Sequence, residues 1–594
     1  MALFRFPDAV ATVESWLDGL GTAVAVKLPR SAASKTLEWK LDLHELGYPI
    51  SSVRLRVLEL FPAIPCELYV PADLCLQLPH VEEDGRVCLD EICQSVDFAN
   101  PIAAVLRAVE RFKTELLENS ANEGWRRKEL HAERLSYWGR FCTLRQKSPR
   151  GRFRPRATLV SMEPVDQWAE GRIAAFIPKG SRQRRIDVQI VTLSSTDPVE
   201  MANRYGLNGG SLVKGNAMFV RIRDDFEWTP MMWPQDFVQL EALVSIATAG
   251  QRSVMGWLAN IGWADDSEAA ALLLEKAKIP AGYKPLLVVL CHGEELYGYQ
   301  ISPPAVPLIT APQAASVVIS RIDATWALTR DHATTAFDVR QGKQILVLGA
   351  GSLGSPIIDI LARSGVGTID IVDSQLMEPP NVSRHLLGMS SIRQSKAKAI
   401  AARLNKDIPA ITVYGHLAEA QQWMTEHCTP RKYDLVLDLT AESSVRIFLA
   451  KTRASLFGDT VIVHAWVEPF CSAAHVVASN LDTPWPDTDP ALARVNAADF
   501  TSASVKVNLP ACSDGFHPYG SADIIQAAGF SAERIIGVLD VGLTASTVWS
   551  FVRTQAFFDT LDLPVTTKAI VPESGGPQDG MMITRCLQEM LTDG

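Results

Sequence analysis

The chain has 594 residues, of which 47% are hydrophobic and 21% charged, and a formal net charge of −10. At roughly 150 residues per domain, this predicts about three or four domains with ordinary cores. The acidic balance argues against a nucleic-acid partner, and the basic runs at 144–156 and 181–186 read as solvated loops.

Residues 1–135 read as one α+β unit. "AVAVKLP" and "TLEWKLDL" alternate like strands, and "SSVRLRVLELF" puts Val53, Leu55, Val57 and, after Leu58, Leu60 on one side. Pro62, Pro65 and Pro71 then break the chain into an extended passage that leads to "LPHVEEDGRVCLDE", with Cys88 just after a Gly turn. A helix follows, with Ile102, Val105, Leu106, Val109 and Phe112 at helical spacing, Asn100 as cap and Pro101 in its first position. Residues 136–330 alternate strand-like pieces ("RIAAFIP", "IDVQIVTL", "AMFVRIR", "PLLVVLC") with possible helices such as "EAAALLLEKAKI". No chemical motif stands out there, and the expectation is an α+β linker or docking domain, with 144–156 as a linker.

Residues 331–594 open with a βαβ pattern. "QILVLGAG" is a buried strand ending in glycines, "SPIIDILARSG" a helix, and "TIDIVD" a strand ending in Asp373. Gly349, Gly351 and Gly354 form GxGxxG between strand and helix: a tight turn, a close approach to phosphate, and tight helix–strand contact. The helix N-terminus suits an anion, and Asp373 stands where an acid accepts from a ribose hydroxyl. The pattern predicts an adenine nucleotide. Asn381, Arg384, Lys396 and Lys398 after Asp373 favour ATP over a dinucleotide, since an Arg and a Lys held there offset phosphate charge when a carboxylate attacks the α-phosphate.

The order GxGxxG, Asp373, Asn381-x-x-Arg384, Lys396-Ala and "DLVLDLT" (434–440) resembles ubiquitin-activating-type, or ThiF-type, adenylation domains. The resemblance implies a Rossmann-like domain in which Gly351 and Asp373 bind ATP, Asn381 and Arg384 hold the phosphates, and Lys396 contacts the triphosphate. Asp438 then lies at the end of the strand below the site, and Arg330 takes the place of an arginine that such homodimers lend to their partner. Two departures stand out: Gln375 replaces a second acid, and Ala441 replaces the usual magnesium-binding Asp, leaving Glu442 or Asp438 for Mg2+, or an altered site.

The ten cysteines include no CxxC pair and no Cys/His pair at zinc-finger spacing, which speaks against a structural zinc site and fits reduced thiols. Adenylation domains that feed a conjugation cascade carry a cysteine that attacks the acyl-adenylate. Cys512, in a Pro/Gly/Ser-rich loop with His517 nearby, is the candidate, whereas Cys471 reads as core. The opening stretch also resembles the His-Pro-Asn…Cys-Leu signature of ubiquitin-conjugating folds. It aligns with Leu78-Pro79-His80 and Cys88-Leu89, with Gly85 before the cysteine and His80 in the place of the Asn. His80 could serve the oxyanion or act as a base toward the amine, and Cys88 would be the second thiol.

Two thiols and an ATP site in this order resemble the fused activating–conjugating proteins of bacterial CBASS anti-phage operons. The resemblance implies domains at 1–135 (ubiquitin-conjugating-like), 136–330 (linker/docking) and 331–594 (ThiF-type). The protein partner ends in glycine, a CD-NTase or else a ubiquitin-like modifier, and the acceptors are target lysines. Two other classes compete: an NAD-dependent oxidoreductase, and an inactive scaffold suggested by Ala441 and His80. No stretch of 18 uncharged apolar residues occurs, and Asp8 and Glu14 precede any long apolar run, so no membrane partner or signal peptide is expected and the location expected is cytoplasmic.

Overall fold

The computed structural model describes residues 7–29, 36–44, 46, 49–89, 99–146, 155–180, 186–261, 284–302, 312–329, 336–408, 411–501, 505 and 518–592. By its contacts the chain divides into two compact units, Met1–Ala202 with Leu207–Arg321, and Asn203–Gly206 with Ile322–Gly594. Among the described residues no helix is long and apolar enough to cross a membrane.

The first unit begins with helix α1 (Pro7–Gly19), then strands β1 (Ala25–Lys27), β2 (Leu37–Leu41), β3 (Val53–Val57) and β4 (Glu67–Tyr69), which form an antiparallel sheet in sequence order. Alternation in β3 buries Val53, Leu55 and Val57 as the pattern predicts. The strand stops there, and Leu60 falls in the following turn rather than on its face. Helix α2 (Pro101–Arg111) starts as expected: Pro101 is its first residue and the Asn100 side chain accepts from the Ala103 N–H at 3.1 Å. Its buried line runs through Pro101, Val105, Phe112 and Leu116, with Phe112–Leu117 wound as a π-turn. Leu106 lies a step off that line and is 52% exposed, against expectation.

Helices α3 (Glu123–Ala132) and α4 (Arg134–Gln146) follow. Helix α4 takes in residues 144–146, the first three of the run read as a linker. Tyr137, Trp138, Phe141 and Cys142 are buried along one side of it, a helical spacing that the reading of this stretch passed over. The four strand-like segments of the middle region are strands. Those strands are β5 (Ala157–Ser161), β6 (Trp168–Pro178), β7 (Val188–Leu193), β8 (Gly210–Ile222), β9 (Leu286–His292), β10 (Glu295–Ser302), β11 (Gln313–Val317) and β12 (Ile319–Arg321). They form one mixed sheet, ordered β11-β10-β9-β8-β6-β7-β5-β12. The segment "EAAALLLEKAKI" lies outside the described residues.

The second unit is built on an eight-stranded sheet. Five strands are parallel: β13 (Gln344–Leu348), β14 (Thr368–Val372), β15 (Thr412–His416), β16 (Leu435–Asp438) and β17 (Val461–Val467). They lie in the order β15-β14-β13-β16-β17, and antiparallel strands Ala473–Ser479, Thr547–Arg553 and Gly580–Cys586 extend the sheet past β17. Ile345, Leu346, Val347 and Leu348 of β13 are fully buried, as a strand covered on both faces must be. Strand order reverses between β13 and β16, which places a crevice at their carboxyl ends. The glycine turn and Asp438 both sit at that switch point.

Candidate functional site

The three glycines of the turn serve different needs. Gly349 has φ +91°, and a Cβ there would lie 2.9 Å from the Leu439 carbonyl carbon and the Thr440 nitrogen. A Cβ at Gly354 would lie 2.3 Å from the Gly349 oxygen. The chain's own backbone therefore demands both. At Gly351 nothing lies within 4 Å of the Cβ position, so packing does not require glycine; the open cradle there suits a bound phosphate. The helix Gly354–Arg363 has Leu353 at its N-cap position with no side-chain cap; the Ser355 N–H is taken by the Gly351 carbonyl at 2.9 Å and Pro356 has no N–H, so what the helix start offers an anion is its positive dipole end and the amides of the turn just before Ser355.

Asp373 ties this turn down. One carboxylate oxygen accepts from the Ala350 N–H at 2.7 Å and the other from the Gln375 N–H at 2.8 Å. A carboxylate offers about four acceptor positions, so capacity remains for a ribose hydroxyl. Lys396 opens the helix Lys396–Asp407, behind the Ser395 cap, and is only 4% exposed. Its Nζ donates to Gln375 Oε1 at 2.7 Å. Burial pushes this ammonium down from its ordinary range, against the opposing pull of Asp373 and Glu378. The amide at 375, where an acid was expected, thus gives Lys396 a hydrogen bond without a countercharge.

The loop between Asp373 and Lys396 is held by its own side chains. Asn381 Oδ1 accepts from the Glu378 N–H at 3.0 Å in a capping box, so that oxygen serves the loop itself. The Arg384 guanidinium lies over the Tyr519 ring at 4.5 Å, and the Tyr519 hydroxyl meets Ser352 Oγ of the glycine turn at 2.7 Å. His385 Nδ1 accepts from the Leu387 N–H at 3.0 Å, which places the ring proton on Nε2, donating to the Ala350 carbonyl at 2.7 Å. Burial lowers its basicity and keeps it in that neutral form. The sequence reading missed both His385 and Tyr519. The position of His385 directly after Arg384 was an available signal; Tyr519 carried none.

Asp438 ends β16 at 1% exposure. One oxygen accepts from Thr440 N–H at 3.1 Å and Oγ1 at 2.6 Å, and the other faces His464 Nδ1 at 2.9 Å. Thr440 Oγ1 in turn accepts from the Glu442 N–H at 3.1 Å. This chain of bonds fixes the loop that seats Gly349, with Ala441 at φ +61° and Glu442 exposed. Both Asp438 oxygens are engaged, and among the described residues no group of three His, Cys, Asp or Glu converges to hold a metal. Asp438 is thus committed to the protein's own bonds, and of the two carboxylates Glu442, exposed beside it, is the one that would hold a magnesium ion brought by nucleotide phosphates. Replacing His464 by alanine leaves Asp438 short of a buried donor and is expected to cost about 1.5–3 kcal/mol, read from the denaturant midpoint.

In the first unit a hairpin presents Cys88. Val81 bridges Val87, Gly85 N–H donates to Glu82 O at 2.9 Å, and Cys88 N–H donates to His80 O at 2.8 Å. His80 and Cys88, eight residues apart, thus stand directly opposite each other. Cys88 is partly exposed, whereas Cys66 and Cys75 are buried and pushed up to about 12 and about 11. Gly85 has φ +88°, and a Cβ there would lie 2.2 Å from the Val70 oxygen. Gly85→Ala is expected to cost about 1–3 kcal/mol or more and to alter alkylation of Cys88, read by denaturation and thiol-labelling rates. Cys471, in the turn Pro469–Cys471, is buried, as expected, and pushed up to about 12. Cys512, His517, Cys93 and Arg330 lie outside the described residues.

Residues 337–514 match the ThiF family. The chain is 35% identical over 122 residues to the ATP-dependent ubiquitin transferase-like protein Cap2 of Enterobacter hormaechei subsp. hoffmannii (strain UCI 50), covering 20% of each chain. It is 24% identical over 238 residues to the Vibrio cholerae protein of the same name, covering 37% of this chain and 39% of that one. With the adenylyltransferase and sulfurtransferase UBA4 of Yarrowia lipolytica it shares 34% over 122 residues, covering 20% and 30%. The chain spans about a fifth to two-fifths of the length of these curated relatives. Among solved structures, Escherichia coli MccB with ATP is similar at TM-score 0.27 and 15% identity, covering 40% of this chain and 66% of that one. The glycine turn, Asp373, Lys396 and Asp438 all fall inside the segment that matches the ThiF family, and His80 and Cys88 fall outside it.

Proposed function

We propose that this chain adenylates the C-terminal glycine of a protein partner with ATP, carries it as thioesters on Cys512 and then Cys88, and joins it to target amines. The carrying observation is the open backbone at Gly351, set between an uncapped helix N-terminus and Asp373. In this reading the glycine turn receives the phosphates, Asp373 accepts from the ribose, and Lys396 and Arg384 offset the charge that grows as the carboxylate attacks the α-phosphate and pyrophosphate leaves. Asn381 and Asp438 hold the loops that shape the crevice.

Cys512 then displaces AMP, and Cys88 takes the acyl group by thiol exchange. Residues 331–594 activate, 1–135 conjugate, and 136–330 dock the partner. The names of the Cap2 and UBA4 relatives support a transferase of this class. The partner proposed is a CD-NTase in anti-phage defence, the alternative a ubiquitin-like modifier, and the assembly a homodimer. The test is ATP–pyrophosphate exchange with purified candidates ending in glycine. Exchange that depends on that glycine is expected; tight binding of a nicotinamide nucleotide with no exchange would overturn the reading.

A further inference from the structure

His80 is held at three points. Its carbonyl accepts from Cys88, its N–H donates to the Tyr137 hydroxyl at 2.8 Å, and its Nδ1 lies 3.8 Å from Glu133 Oε1. The Tyr137 hydroxyl donates in turn to Glu133 Oε2 at 2.9 Å. This matters because His80 sits at φ +61°, a conformation that costs a non-glycine residue energy unless its surroundings enforce it. Further along α4, Arg140 donates to the Val81 carbonyl at 3.4 Å and pairs with Glu82 at 3.8 Å. Glu133 stands in the turn just before α4, and Tyr137 and Arg140 lie three residues apart on its surface, so the start of the helix and one face of it grip the thiol hairpin.

The adjoining face of α4 is anchored in the middle sheet. Trp138 Nε1 donates to the Val317 carbonyl at 3.2 Å, and its ring meets Trp233 and Tyr297 with centroids 5.1 Å apart in each case. The helix is therefore a strut between that core and the hairpin of Cys88.

We propose that α4 sets the Cys88 site for aminolysis: His80 is the base toward the incoming amine, and Glu133 and Tyr137 are its positioning residues. This rests on the reading of Cys88 as an acyl carrier. The amine nitrogen attacks the thioester carbonyl, the C–N bond forms, and the C–S bond breaks with Cys88 leaving as thiolate. The amine proton passes to the His80 imidazole, and the Glu133 carboxylate offsets the imidazolium charge.

The test uses the full chain and a short peptide ending in glycine, supplied as its mercaptoethanesulfonate thioester. That probe loads Cys88 without the ATP site, and Cys88→Ala marks any adduct on other thiols. Discharge to free lysine is then followed, with the extent of loading as the check on folding. Glu133→Gln keeps the hydrogen bond from Tyr137 but removes the charge, and is expected to slow discharge about tenfold. Tyr137→Phe is expected to lower kcat for discharge by a similar factor at unchanged KM for lysine. In a His80→Asn background, which tolerates the same backbone and lacks the base, Glu133→Gln is expected to have no further effect. Equal slowing by Glu133→Gln in both backgrounds, or none in the parent, overturns the positioning role while leaving the carrier role standing. Absence of any adduct specific to Cys88 in the parent overturns the carrier reading and this one with it.

Discussion

ATP–pyrophosphate exchange is expected to fall about 10²–10³-fold when Lys396 is replaced by alanine, the usual consequence of removing one preorganised donor to a developing charge. The effect is expected in kcat more than in KM, because the charge Lys396 meets grows in the transition state. Its environment adds a pH signature. Burial lowers the pKa of Lys396, and Gln375 supplies a hydrogen bond but no negative charge. A lysine with a lowered pKa loses its proton as pH rises through that lowered value, so exchange is expected to decline on the alkaline side earlier than an ordinary lysine would allow. Gln375→Glu places a carboxylate against Nζ and is expected to move that alkaline limb to higher pH. A Lys396→Ala enzyme that exchanges at the parent rate, or an alkaline limb indifferent to residue 375, would count against this arrangement.

The second large effect concerns the thiols. With ATP, magnesium and a partner ending in glycine, non-reducing gels are expected to show two thiol-sensitive adducts and one stable amide product. Cys512→Ala is expected to remove all three. Cys88→Ala is expected to leave the first adduct and remove the second together with the amide product. Thioesters exchange at nearly equal free energy, so ATP cleavage drives the sequence and loss of either sulfur stops everything downstream. Normal conjugation by Cys512→Ala would reverse the proposed order or dispense with it.

The structural setting of Cys88 bears on that outcome. Cys66, Cys75, Cys291 and Cys471 are buried and pushed up to between about 11 and about 12, a range in which a thiol is inert at neutral pH. Cys88 differs from them by its exposure on a hairpin and by His80 across the ladder. The spacing of Pro79, His80, Gly85 and Cys88 made this pair legible, because a hairpin with a glycine at positive φ is a local device. Why His80 can hold its strained conformation was not legible. Its restraint comes from Tyr137, 57 residues away in the chain, and which distant side chain meets a turn is not written in the turn's own residues.

The nucleotide crevice divides in the same way. The strand, the glycine turn, its helix and Asp373 lie within 30 consecutive residues, where turn chemistry and alternation are strong signals. The helix cap at Asn100–Pro101 and the strands of the middle region were read on the same grounds. The partners that give those residues their properties come from elsewhere in the chain. His464 meets Asp438 from 26 residues on, and Tyr519 reaches Ser352 across 167. Local backbone preferences are written in neighbouring side chains, so the amino-acid order alone determined where the turns, caps and phosphate-facing glycines would be. Which buried polar groups find one another depends on how sheets and helices close over them. Tertiary structure alone therefore decided the burial of the Lys396 ammonium, the engagement of Asp438 by the loop at Gly349, and the grip of α4 on His80.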